Sequence, residues 1–93
     1  MDKLDDLRKQ INEVDKKIIG LLSERNRLSI EAVKAKSIRK APIRDEQREA
    51  ELLDNVIQLG SDSGLDTAFV KNIFIEIIYN SVEVQKKFIR DIQ

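Results

Sequence analysis

From Leu4 to Ala35 the apolar residues Leu4, Leu7, Ile11, Val14, Ile18, Leu21, Leu28, Ala32 and Ala35 follow steps of three and four, with one seam position between Leu21 and Leu28 filled otherwise. Such spacing describes a single helix with a coiled-coil-like seam, and it predicts a helix from about residue 3 to about residue 39. At ~1.5 Å per residue this helix is roughly 55 Å long, more than a compact chain of 93 residues normally accommodates. The seam therefore points to a partner chain. Pro42 ends the helix, because proline has no N–H and disfavours helical geometry in the residue before it.

Punctuation divides the rest into two further helices. The second is expected over about 44–59, with Gly60 as its C-terminal cap and "GSDSG" as the following loop. Asp66 is a suitable N-cap for a third helix over about 67–91, which carries Val70, Ile73, Phe74, Ile77, Ile78, Val82, Phe88, Ile89 and Ile92. The run "NIFIEIIYNSVEV" has the β-branched content of a strand. Its three-four periodicity, and the lack of a second strand to pair with, favour a helix. The expected fold class is all-α, a single domain over residues 1–93 without internal repeat or flexible linker.

Composition narrows the chemistry. The formal net charge is zero, so nothing global draws the chain to nucleic acid or to an acidic membrane, and any cationic function must be local. Cysteine is absent, which removes disulfides, thiolate metal sites and thiol nucleophiles and suits a reducing compartment. Histidine is absent too, and with it the commonest transition-metal ligand and the usual acid/base of neutral pH. "MDKLDDLRKQ" leads directly into charged amphipathic sequence, and no apolar run approaches the ~20 residues that span a bilayer. The expectation is a cytoplasmic protein without metal or cofactor.

Each helix interrupts its apolar face with polar groups. Arg25 fills the seam position between Leu21 and Leu28, and Lys36 returns to nearly the same azimuth eleven residues on, about 16 Å along the axis. The small Ser29 and Ala32 between them leave room for the two cations to bracket a small anion. On the second helix the stripe Leu52, Leu53, Val56, Ile57 extends backward onto Asp45, Arg48 and Glu49. On the third, Ser81 and Gln85 interrupt an otherwise apolar stripe. Taken singly, each has an ordinary structural reading. Asp45 and Glu49 complement a helix dipole, Arg25 snorkels or pairs with Glu49, Lys36 is solvated, Ser81 is a tolerated small residue and Gln85 sets register. Three separate lapses are improbable, because buried charges cost several kcal/mol unless paired.

The motifs "LRKQI", "ERNRLSIEAVKAK", "PIRDEQRE" and "NSVEVQ", in that order and at compatible distances from about Leu4 to Phe88, closely resemble the all-helical chorismate mutases of the AroQ class. The resemblance implies a site of Arg8, Arg25, Lys36, Asp45, Arg48, Glu49, Ser81 and Gln85. Arg8 lies 17 residues from Arg25, roughly 25 Å along the same helix and about 100° round it, so the two cannot touch one small substrate. The family resolves this with an intertwined homodimer in which antiparallel long helices carry Arg8 into the partner's site.

The implied reaction is conversion of chorismate to prephenate by an intramolecular Claisen rearrangement, in the shikimate pathway toward phenylalanine and tyrosine. It needs no nucleophile and no proton transfer. It needs a chair-like conformer of a flexible dianion and stabilisation of negative charge growing on the ether oxygen. By resemblance Arg25 and the second copy's Arg8 hold the carboxylates, with bidentate geometry that lysine cannot match. Lys36 and Gln85 donate to the ether oxygen, Glu49 with Asp45 accepts from the ring hydroxyl, and Ser81 and Arg48 support carboxylate binding. An amide at position 85 donates without first being protonated, so activity is expected to persist at neutral and mildly alkaline pH. Asn26 stands beside Arg25 where some relatives carry a second basic residue. The competing readings are an isochorismate-pyruvate lyase, disfavoured by Asp45 and Glu49, and a non-catalytic mutase-like dimerisation or regulatory module, disfavoured by the complete polar set.

Overall fold

Local signals set where each helix starts and stops. The computed structural model describes residues 2–92. It contains helices α1 (Lys3–Arg39), α2 (Glu46–Asp62) and α3 (Thr67–Ile92) and, among the described residues, no strand. Asp2 caps α1 by accepting from the Asp5 amide at 2.8 Å, Asp45 caps α2 by accepting from the Arg48 amide at 3.0 Å, and Asp66 accepts from the Phe69 amide at 3.2 Å at the start of α3. Each satisfies one of the N–H groups that a helix N-terminus leaves without a partner. At the other end of α1, Lys40 turns into the left-handed region (φ 57°), and the Ala41 amide bonds back to the Lys36 carbonyl at 2.8 Å. Pro42 follows immediately.

The end of α2 departs from expectation. The helix runs through Gly60 and finishes at Asp62, three residues beyond the expected stop. It is Gly64 that takes the positive φ (78°), while the Leu65 amide bonds to the Gly60 carbonyl at 2.9 Å and the Gly64 amide to the Ser61 carbonyl at 3.0 Å. This paired pattern is the Schellman closure. Gly60 serves packing instead of capping. A Cβ there would lie 2.7 Å from Val70 Cγ2, so glycine is what lets α2 and α3 approach.

α3 packs against both other helices, whereas the backbones of α1 and α2 do not approach each other. Val33 of α1 and Val70, Ile78 and Val82 of α3 form the buried apolar core among the described residues. The segment "NIFIEIIYNSVEV" is helical throughout, as its periodicity indicates. Coverage of α1 is confined to its C-terminal part: residues 2–24 are all exposed, and the seam residues Ile11, Ile18 and Leu21 are 58%, 49% and 64% accessible. The long axis of the chain is 56 Å, and its radius of gyration is 16.7 Å, against about 12 Å for a compact chain of this length. Among the described residues no helix is long and apolar enough to cross a membrane.

The close approach at Gly60 predicts that Gly60→Ala lowers stability, by about 1–3 kcal/mol of overpacking, even though alanine in an exposed helix normally gains up to ~1 kcal/mol over glycine. Thermal unfolding checks this. A variant as stable as the parent, or more so, would mean that Val70 does not pack against α2 as described.

Candidate active site

Because α1 and α2 both rest on α3 without meeting, a cavity of about 410 Å³ opens between them. Its volume falls in the range of small-molecule sites. Seven of the eight residues singled out from the sequence line it: Arg25 and Lys36 from α1, Asp45 at the α2 N-terminus, Arg48 and Glu49 from α2, and Ser81 and Gln85 from α3. Leu28, Ile78, Val82 and Leu52 supply apolar wall between them. Arg8 is not among the lining residues. It lies in the exposed N-terminal part of α1, and this single chain does not bring it to the cavity.

Lys36 and Gln85 meet at the far end. The Lys36 ammonium donates to Gln85 Oε1 at 3.0 Å and to the backbone carbonyl of Ile43 in the α1–α2 connection. Gln85 is 5% exposed, and its Nε2 donates to Ser81 Oγ at 3.3 Å. The Ser81 and Ser29 hydroxyls lie 2.7 Å apart, and Ser29 donates to the Arg25 carbonyl, one turn back, at 3.0 Å. Among the described residues no buried side-chain nitrogen or oxygen lacks a partner. Bonds of this kind keep a buried amide tolerable in a helical core.

The other end is cationic. The Arg25 guanidinium is held below its ordinary pKa, first by burial and then by the charge of Arg48. Neither arginine makes an ion pair with a carboxylate among the described residues. In particular Arg25 does not pair with Glu49. That carboxylate is taken by Arg44, whose Nε reaches both oxygens at 3.3 and 3.1 Å and whose Nη2 reaches Oε1 at 3.0 Å. The bond to Glu49, and then its charge, raise the Arg44 pKa. Two guanidiniums that feel each other's charge in one cavity wall, neither ion-paired among the described residues, favour an anion, and Arg is suited to carboxylate by its planar fork.

Several features of the cavity and its surroundings escape sequence reading. Ser29 is legible as a small spacer, yet it is 7% exposed and bonded on two sides. The signal was its place four residues after Arg25, from which a serine hydroxyl reaches the preceding turn's carbonyl. Arg44 and the Ile43 carbonyl belong to the irregular segment before α2, where helical periodicity carries no information. Asn26 accepts from Asn80 Nδ2 at 2.8 Å, so it ties α1 to α3 beside the site. Asp45 caps α2 and also lines the cavity.

The sequence matches the family described as Chorismate mutase type II over residues 7–86. It is 40% identical over 84 residues to a bifunctional chorismate mutase/prephenate dehydratase of Enterobacter agglomerans, covering 90% of this chain and 22% of that protein. The bifunctional protein of the same description from Escherichia coli is 38% identical over the same length and shares. The chain thus spans about a fifth of the length of these bifunctional relatives. A chorismate mutase of Methanocaldococcus jannaschii is 31% identical over 93 residues, covering 100% of this chain and 94% of that protein.

The cationic end predicts that a small dicarboxylate such as malonate stabilises the folded chain, raising Tm by several degrees. A ligand at ~10–100 times its Kd contributes about 1.4–2.7 kcal/mol. Sodium chloride at matched ionic strength should do less, and Arg25→Met should abolish the difference. Equal shifts with malonate and chloride, or an unchanged response in Arg25→Met, would contradict anion binding there.

Proposed function

Because the chain belongs to the chorismate mutase type II family, we propose that it rearranges chorismate to prephenate in the cavity between α1 and α2. The observation that carries this reading is the Lys36–Gln85 pair. Lysine has three N–H donors and the amide two. Two of the lysine's go to Ile43 and Gln85, and one of the amide's goes to Ser81. One donor on each group is left over, on neighbouring groups in the wall of one cavity. Two neighbouring donors suit a single oxygen that gains negative charge as its bond to carbon breaks, and such donors act most strongly when fixed in advance.

The remaining residues then have consistent roles. Arg25 holds a substrate carboxylate, with Arg48 adding charge beside it. Glu49, fixed by Arg44, accepts the ring hydroxyl, and Asp45 supports it from the helix cap. The apolar wall selects the folded, chair-like conformer by shape, which supplies the proximity term of the rearrangement. No side chain has to exchange a proton. Asp45 and Glu49 in the cavity wall favour the mutase over a lyase acting on a related dianion.

A second copy of the chain completes this site in the proposal, contributing its Arg8. The exposed seam of α1 supports it, as does total surface: 7447 Å², against about 5,500 Å² expected for a compact monomer of 10.7 kDa. An antiparallel pairing of two α1 helices would bury that seam and carry Arg8 along the 56 Å molecule toward the partner's cationic end. Cytoplasmic location is part of the same proposal.

Loss of chorismate absorbance and appearance of prephenate with the purified chain test the reading, with isochorismate as the alternative substrate. Prephenate should form from chorismate, and Lys36→Ala should lower kcat by ~100-fold or more, the usual loss for one preorganised donor. Normal turnover in Lys36→Ala would refute the assignment of the site. Pyruvate release from isochorismate in place of prephenate formation would refute the reaction.

A further inference from the structure

Each serine hydroxyl has one proton, and that fixes the sense of the chain of hydrogen bonds behind Gln85. Ser29 uses its proton on the Arg25 carbonyl at 3.0 Å. Either hydroxyl could donate across the 2.7 Å contact between them, and with the Ser29 proton so used the contact runs from Ser81 to Ser29. Ser81 Oγ, its proton directed to Ser29, presents a lone pair to Gln85 Nε2 at 3.3 Å. At the other end Lys36 can only donate, so the amide oxygen faces Lys36 and the amide nitrogen faces Ser81. The direction is Lys36 to Gln85 to Ser81 to Ser29 to the α1 backbone.

We infer that Ser29 is a positioning residue for Gln85: by accepting the Ser81 proton it makes Ser81 an acceptor, which holds the amide so that its second N–H is offered to the cavity. Given the proposed rearrangement, on which this role rests, Ser29 acts on the transition state without touching substrate. The arrangement also changes the part expected of Ser81. Its proton reaches a substrate carboxylate only by leaving Ser29. With Ser29 removed, the Ser81 hydroxyl is released, and nothing obliges it to accept from Gln85.

Ser29→Ala tests this, since alanine fills the site without crowding. The expected result is a kcat lowered about fivefold, the equivalent of one ordinary hydrogen bond, with KM unchanged or lower because the freed Ser81 proton can now reach a carboxylate. In a Gln85→Ala background the same substitution should leave kcat where Gln85→Ala put it, while its effect on Tm persists. A merely structural serine would move Tm alone, or would lower kcat equally in both backgrounds. Either result overturns the role. Nuclear magnetic resonance of the Gln85 side-chain amide gives a readout apart from turnover: both amide proton resonances should shift, and exchange with solvent should quicken, in Ser29→Ala. Parent chain is assayed alongside, so a parent that makes no prephenate refutes the functional reading. An active parent whose Gln85 amide is indifferent to Ser29→Ala refutes the positioning role.

Discussion

A glutamine buried to 5% exposure in the packed face of a helix constrains everything around it. Its amide must find partners for both ends or cost the core a few kcal/mol. Gln85 finds Lys36 on one side and Ser81 on the other, and Ser81 in turn meets Ser29. These bonds would break if α1 slid along α3 by one turn, so the polar chain fixes the register of the two helices as well as the wall of the site. Asn26 and Asn80 hold the same register a turn away. Packing alone, through Val33 against α3, is less specific about register than a directional bond.

The second constraint is the length of α1. Thirty-seven unbroken residues exceed what α3 covers, because α3 is the helix that packs on α1 and residues 2–24 of α1 are left exposed. One end of α1 thus becomes the cationic side of a cavity, and the other stands exposed with an apolar seam. The proposed second copy answers both features at once: it covers the seam and brings in the arginine that the geometry of a straight helix keeps away from its own site. Arg8 and Arg25, on one helix, then serve two different cavities.

Much of this was legible in the sequence because the important groups lie on helices. The three-four rhythm marks the faces, so Arg25, Lys36, Ser81 and Gln85 stand out as polar groups where apolar ones belong, and the structure gathers all four at one cavity. Irregular segments offer no such rhythm, which is why Arg44 and the Ile43 carbonyl went unread. Gly60 misled for a related reason. A glycine near an expected helix end signals either a left-handed cap or a close contact, and only the position of Val70 decides between them. Ser29 looked like empty space because a small residue and a buried hydrogen-bond relay have the same sequence signature.

The central claim is that one site is assembled from α1, α2 and α3 of one copy and Arg8 of another. Mixing two inactive variants tests it most directly: Arg8→Ala and Arg25→Ala, purified apart, then unfolded and refolded together. In a mixed dimer one cavity carries both substitutions and the other carries neither. Chorismate turnover should therefore return to about a quarter of the parent value, the share of intact sites in a statistical mixture of symmetric dimers. Turnover no greater than the sum of the two variants alone, in a mixture shown to contain mixed dimers, would contradict the shared site.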